Sequence, residues 1–364
     1  MSNQKNKRSV YIVAEAGVNH NGSLEMAKRL VEVAAEAGVD AVKFQTFKAE
    51  QVISRHALKA DYQKAATEAA ESQLEMIQRL ELDRSSHETL MDCCRERNLE
   101  FMSTPFDGES VDLLVELGVA RLKVPSGEIT SAPLLLKMAR TGLPIIMSTG
   151  MASLGEVEAA LGVLAFGYLD YRVRPAREEF NRAWQEGQDA LRQKVTLLHC
   201  TTEYPAPFEE VNLRAMETLA TAFGLPVGYS DHTPGIAIPI AAAARGAALI
   251  EKHFTLDKSL PGPDHRASLE PVELAAMVQG IRQVEAALGS SIKLPAPTEL
   301  KNREVARKSL VAARGIRKGE RFSEENLTSK RPGTGISPFH YWELIGRVAH
   351  KDFQVDEIIY LNDF

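Results

Sequence analysis

The sequence predicts an α/β protein, a closed (β/α)8 barrel followed by a small C-terminal domain, and three observations carry the prediction. Eight times between Val10 and Thr255 the chain runs through a short apolar stretch that stops on a polar group. Spans with helical spacing separate these stretches. From Gly289 the rhythm changes to a charged, proline-containing segment and then to short strand-like pieces. At 364 residues the chain exceeds one average domain, and a barrel of roughly 250 residues with a small appendage accounts for its length. We place the barrel over residues 1–288, a linker over 289–309 and the appended domain over 310–364.

The strands are read in VYIVAEAG from Val10, AVKFQTF from Ala41, EFMSTPF from Glu100, RLKVPSG from Arg121, PIIMSTG from Pro144, VTLLHCTT from Val195, PVGYSDH from Pro226 and LIEKHFT from Leu249. Runs of this length, rich in β-branched and aromatic residues, fit strands buried on both faces of a parallel sheet. Between them, SLEMAKRLVEVAAEAG and EPVELAAMVQGIRQVEAALG place apolar residues at helical spacing and end on Gly. SLGEVEAALGVLAFG opens with Ser153 and Glu156 in capping-box spacing. That helix is expected to start directly behind the Ser148-Thr149-Gly150 turn with its free amides in the barrel mouth, where they favour a phosphate. Two spans break the rhythm. The stretch KAATEAAESQLEMIQRL, within the long connection from Lys48 to Leu80, reads as a lid, and the insertion between Tyr168 and Lys194 reads as a peripheral helix placing Phe180, Trp184 and Leu191 on the barrel wall.

Composition narrows the function. The formal net charge of −6 and the absence of a basic run argue against general nucleic-acid binding. An anionic substrate therefore needs a local cluster of Lys and Ser. Three cysteines, with Cys93 and Cys94 adjacent, make no disulfide framework or zinc spacing. The polar start MSNQKNKRS resembles no secretory leader, and no apolar run is long enough to span a bilayer. A cytoplasmic protein with no membrane partner is expected.

In a (β/α)8 barrel the catalytic groups sit where the strands end. Those ends hold Glu15, Lys43, Gln45, Thr104, Lys123, Ser126, Glu128, Ser148, Thr149, Thr202, Ser230, Asp231, His232 and His253. His232 and His253 close strands seven and eight, which are neighbours in a barrel, so their imidazoles can share one divalent ion acting as a Lewis acid. His199 serves equally well as a core residue. Lys43 and Lys123 lie inside strand runs, where a lysine is costly without a partner. Two roles stand open for them, anion clamp or Schiff-base amine, and the hydroxyls of Ser126, Ser148, Thr149 and Ser230 favour the clamp. Glu15 and Glu128 are candidate bases or sugar ligands. Asp264, in PGPDHRASL, sits on a loop expected to overhang the site, and Asp231 and Glu251 flank the histidines as residues that could orient them.

These residues fall in IVAEAGVNHNGS, AVKFQTFKAEQVIS, STPFD, KVPSGE, STGM, LLHCTTEYPAPFEEVNL, GYSDHT, EKHFTLDKSLPGPDHRASLEP and KRPGTGISP. Taken in order over nearly the whole chain, the set resembles the sialic acid synthase family, which includes N-acetylneuraminate and legionaminate synthases. The resemblance implies a TIM barrel followed by a small antifreeze-like (SAF) domain, in a domain-swapped homodimer. It also implies condensation of phosphoenolpyruvate with an open-chain N-acetylated hexosamine, N-acetylmannosamine or a 2,4-diacetamido-6-deoxy sugar, to a nine-carbon 2-keto acid with release of phosphate. By the same resemblance His232 and His253 hold Mn2+ or Mg2+. Lys43, Thr104, Lys123, Ser126, Ser148 and Ser230 contact phosphoenolpyruvate. Glu15, Gln45, Glu128, Tyr204 and Asp264 face the amino sugar, and Arg331 of KRPGTG reaches the acetamido group in the partner's site. The chain departs from the family at HCTTEYP, where Asn is frequent, which leaves Thr202 as the phosphate-side residue. In the reaction so implied, Glu128 is the expected base for the water that adds at C2. Two other enzyme classes use some of the same groups, a metal-dependent barrel hydrolase and a lysine Schiff-base aldolase. A non-enzymatic assembly role for the tail leaves the polar barrel mouth without a purpose.

Overall fold

A computed structural model describes residues 9–54, 56–57 and 72–364. The chain divides into two compact units, Met1–Gly289 and Ser290–Phe364. In the first, the eight predicted apolar runs form eight strands: β1 (Tyr11–Gly17), β2 (Ala41–Thr46), β3 (Glu100–Pro105), β4 (Leu122–Val124), β5 (Ile145–Ser148), β6 (Val195–Cys200), β7 (Val227–Asp231) and β8 (Leu249–His253). They pair in the order β3-β2-β1-β8-β7-β6-β5-β4. Every ladder is parallel, and β1 pairs with both β2 and β8, which curls the sheet until β3 and β4 also meet.

Strand residues alternate between the inside of the barrel and the helix-covered outside. The inside is floored by Val13, Ala41, Met102, Ile146, Leu198 and Leu249, with Tyr11 packed against them. Two residues further along each strand, the same parity delivers polar groups: Glu15, Lys43, Thr104, Ser148, Cys200, Ser230 and Glu251. The register sets Glu15 opposite Lys43 on one side and opposite His253 on the other. The opposite parity packs under the helices. There Asp231 and Lys252, both without solvent exposure, form an ion pair at 2.5 Å, and Lys252 also donates to the Thr233 carbonyl. Asp231 therefore does not orient a histidine as expected, because it points out of the barrel while Ser230 and His232 point in.

The predicted helices form with their predicted ends. Leu24–Ala37 is capped by Ser23 and stopped by Gly38 at φ 77°, and Pro271–Leu288 ends at Gly289. The insertion supplies Arg177–Glu186 and Gln188–Lys194. Leu191 is buried there, Phe180 meets Phe166 edge-on and Trp184 meets Phe223, which is the wall-packing role expected of it. Of the lid stretch, residues 64–71 lie outside the described residues. Its remainder forms Gln73–Gln78, started by a capping box between Ser72 and Glu75. Among the described residues no helix is long and apolar enough to cross a membrane.

In the second unit, β9 (Ser309–Ala312) runs antiparallel to β10 (Leu327–Lys330), and isolated bridges tie Val311 to Ile358 and Ile316 to Phe353. Leu310, Ile316, Phe322, Leu327, Leu344, Phe353 and Ile359 form its core. The segment read as a linker carries a helix, Pro297–Ala306, with no buried residue. Pro297 stands in its first turn, where a missing N–H costs nothing. Arg331 belongs to this unit, where it is exposed and its Nε donates to the Ala306 carbonyl at 2.9 Å.

Candidate active site

The strand ends and their loops enclose a cavity of about 290 Å³. Glu15, Lys43, Gln45, Thr104, Lys123, Ser126, Ser148, Thr202, Tyr204, Ser230, His232, His253 and Asp264 all line it. At its floor two buried ammonium groups face two buried carboxylates. Lys43 pairs with Glu15, donates to Thr104 Oγ1 at 3.0 Å and lies 3.6 Å from Glu251. Lys123 donates to Ser148 Oγ at 2.6 Å and lies 3.6 Å from the other oxygen of Glu251, which also accepts from Ser230 Oγ at 2.8 Å. Glu251 thus bridges the two lysines. It was expected to orient a histidine, but its inward parity puts it level with the ammonium groups.

The electrostatics separate the two carboxyls. Burial works to raise Glu251, but Lys123, Lys43 and the Ser230 hydroxyl outweigh it and hold the group at about 2. For Glu15 burial wins over the pull of Lys43, with Glu251 adding to the rise, and its carboxyl is pushed up to about 7. Lys43 is held above its ordinary value because Glu15 and Glu251 overcome its burial, whereas burial takes Lys123 below. The floor therefore combines an anion locked between two cations with a second carboxyl that can carry a proton near neutrality.

Above the floor stand the imidazoles of His232 and His253, with ring centroids 5.5 Å apart. His232 Nδ1 donates to the Thr201 carbonyl at 2.6 Å, so its Nε2 carries the lone pair. His253 Nδ1 is buried without a hydrogen-bond partner, 3.9 Å from Asp264 Oδ2. Burial keeps both rings neutral, below the ordinary histidine range. The Tyr204 ring lies 4.3 Å from that of His232 and meets His253 edge-on. Among the described residues no cluster of three or more His, Cys, Asp or Glu completes a cage. Two neutral imidazoles, that of His232 oriented by its bond to Thr201, nevertheless fit a divalent ion whose other positions go to water or substrate oxygens.

Two glycines keep the space open. Gly17 sits at φ 52°, and a Cβ there would stand 3.1 Å from Glu15 Oε1 and 3.5 Å from His253 Cε1. A Cβ at Gly150 would meet Thr202 Oγ1 at 2.2 Å, Ser126 Oγ at 2.7 Å and Cys200 Sγ at 2.9 Å. Here Ser126 Oγ accepts the Gly150 amide at 3.1 Å and lies 3.1 Å from Cys200 Sγ.

Some expected groups are elsewhere. Glu128 follows Ser126 in a 3-10 turn, does not line the cavity and accepts a bond from Ser131. The turn carries the chain out of the mouth within two residues of Ser126. The helix Leu154–Tyr168 does not aim its amides into the cavity either. Its first turn is exposed, and the capping box takes the Glu156 amide onto Ser153 Oγ and the Ser153 amide onto Glu156. Residues that sequence reasoning passed over also appear. Cys200 shares the inward parity of its neighbours, two positions from Thr202. Val18, Phe47, Val52, Ile53, Ile77 and Phe106 make an apolar wall on the side of β1 to β3.

The chain is 54% identical over 352 residues to the N,N'-diacetyllegionaminic acid synthase of Campylobacter jejuni, covering 97% of this chain and 99% of that one. It is 47% identical to the N,N'-diacetyllegionaminic acid synthase of Legionella pneumophila, over 92% of this chain and 89% of that one. Among solved structures, the N-acetylneuraminic acid synthetase of Leptospira borgpetersenii in complex with citrate superposes with a TM-score of 0.66 at 33% identity, covering 81% of this chain and 90% of that one. Residues 307–364 match the SAF domain, which is the antifreeze-like tail expected from KRPGTGISP. With residues 30–293, the span that carries most of the polar strand ends, matching the NeuB family, the chain belongs to that family.

Proposed function

We propose that the protein condenses phosphoenolpyruvate with an open-chain N-acetylated hexosamine to give a nine-carbon 2-keto acid and phosphate, with N,N'-diacetyllegionaminate as the product. The observation that carries this reading is the convergence, in one cavity, of two buried lysines ringed by hydroxyls and a pair of neutral imidazoles. The names of the Campylobacter and Legionella relatives supply the product.

Lys43 and Lys123 bind the anionic groups of phosphoenolpyruvate, aided by the hydroxyls of Thr104, Ser126, Ser148, Thr202 and Ser230. His232 and His253 hold a divalent ion, Mn2+ or Mg2+, which when bound supplies Lewis-acid polarisation of the sugar aldehyde. Gln45, Tyr204 and Asp264 orient the sugar so that its aldehyde carbon meets C3 of the enol. A C–C bond forms as the enol double bond shifts, and the aldehyde oxygen takes a proton. Water then adds at C2, and the C–O bond to phosphate breaks to leave the keto acid. Glu15 holds and delivers a proton in these steps, since its carboxyl titrates near neutrality beside Lys43. Glu128 was expected as the base for water, but Glu15 takes that place because it reaches the cavity. Most of the acceleration comes from positioning and charge placement in a buried site.

The Schiff-base reading of Lys43 and Lys123 loses support from the geometry, because both ammonium groups lie beside Glu251. A homodimer in which Arg331 of the partner subunit meets the acetamido group is part of the same proposal, supported by the exposure of Arg331. So is a cytoplasmic location. The test is phosphate release from phosphoenolpyruvate with a panel that includes N-acetylmannosamine and 2,4-diacetamido-6-deoxy sugars, with and without chelator. Release with the diacetamido sugar is expected, and no release with any sugar refutes the function.

A further inference from the structure

Segment 261–268, which carries Asp264 over the cavity, is held from the loop after β1 by buried amides and hydroxyls. Asn19, 1% exposed, donates from Nδ2 to the Phe254 carbonyl at 2.8 Å and to Ser268 Oγ at 2.9 Å. Ser268, equally buried, donates in turn to the Asp264 carbonyl at 2.7 Å. A parallel link runs through Asn21, which donates to the Pro261 carbonyl at 2.8 Å and accepts from His265 Nε2 at 3.2 Å. His265 Nδ1 lies 2.6 Å from Thr255 Oγ1, so the ring ties the segment back to the end of β8.

The Asp264 side chain lies between these two anchors. Its carboxylate lines the cavity and, among the described residues, accepts no hydrogen bond. His253 Nδ1, 3.9 Å from Oδ2, is too far to fix the carboxylate by a hydrogen bond, so its position follows from its own backbone, and that backbone is held by Ser268 and, through Ser268, by Asn19. A loop carboxylate anchored only through its backbone moves whenever the anchor slackens, and misplacement by about 1 Å costs a positioned group on the order of a hundredfold.

We infer that Asn19 and Ser268 are positioning residues for the acceptor sugar, acting through the backbone of Asp264 and touching neither substrate. The inference rests on the proposed condensation and on Asp264 facing the sugar in it.

The test is steady-state phosphate release by the full chain with each substrate varied in turn. Ser268→Ala and Asn19→Ala are expected to raise the KM for the sugar roughly tenfold or more while leaving the KM for phosphoenolpyruvate within about twofold. Ser268→Thr keeps the hydroxyl and is expected to restore the sugar KM, and Asp264→Asn should raise the same constant. If an Ala variant fails to fold, Asn19→Leu replaces it, since it fills nearly the same volume while removing the donor to Ser268 Oγ. That variant is expected to raise the sugar KM in the same selective way. An unchanged sugar KM in folded variants, or equal rises in both constants, overturns the inference. Absence of phosphate release by the unaltered protein overturns the proposed function and this inference with it.

Discussion

Replacing Lys123 by Met keeps the length of the side chain and removes its charge. Lys123 is 2% exposed, and its ammonium bonds Ser148 at 2.6 Å and lies 3.6 Å from Glu251. At that separation two unit charges attract by about 5 kcal/mol for an effective dielectric of ~20. Burying the ammonium costs several kcal/mol, so little of that attraction survives as fold stability. Lys43 remains 3.6 Å from Glu251 in the variant and leaves that carboxylate a partner. The protein is therefore expected to fold. Binding is another matter, because an anion entering the cavity then meets Glu251 with one cation fewer. Truncating one member of a buried charge pair costs about 2–5 kcal/mol, which is roughly thirtyfold to several thousandfold in kcat/KM for phosphoenolpyruvate. The assay is phosphate release with phosphoenolpyruvate varied at saturating sugar, beside a thermal melt to confirm the fold. A folded variant with kcat/KM within about threefold of the parent refutes the assignment of Lys123 as an anion clamp.

Chelation should abolish phosphate release, with recovery on adding Mn2+ or Mg2+; turnover that persists in EDTA removes the metal from His232 and His253. Gly150→Ala drives a Cβ to 2.2 Å from Thr202 Oγ1, so turnover should fall at least tenfold while overpacking lowers stability by about 1–3 kcal/mol; near-normal kinetics would mean the Ser126–Thr202 corner is not a binding wall. His20 is fully buried, and burial holds its imidazole down at about 4. The unfolded chain then binds more protons between about pH 6.5 and 4, so stability falls as pH falls through that window, by up to about 3 kcal/mol from this residue. Urea midpoints should decline less steeply with acid in His20→Asn, and identical slopes would exclude the effect.

Strand period and hydrophobic content were legible in the sequence because they are local. Eight apolar runs, Ser23 and Gly38 around the first barrel helix, and the parity that turns Glu15, Lys43, Ser230 and His253 inward are all set by alternation and capping along one segment. That parity also contained information left unread: Asp231 sits between two inward residues and so must face outward, toward Lys252. Glu128 and the Leu154–Tyr168 amides were misplaced for another reason. Both follow strand ends by a few residues, and the direction of a turn leaving the barrel depends on backbone angles that residue types constrain weakly.

By itself the sequence determined which groups face the inside of the barrel, since side chains of one strand cannot change face without slipping the whole register. Tertiary structure alone decided which of them meet. Whether Glu251 orients a histidine or stands between two lysines, and whether Glu15 keeps a proton near neutral pH, depend on distances across a closed barrel and on exclusion of water. Both arise only when β1 pairs with β8 and brings the first and last strands of the barrel together. Charge interactions in such a cavity act through space with little solvent screening, so they answer to barrel closure and not to order along the chain.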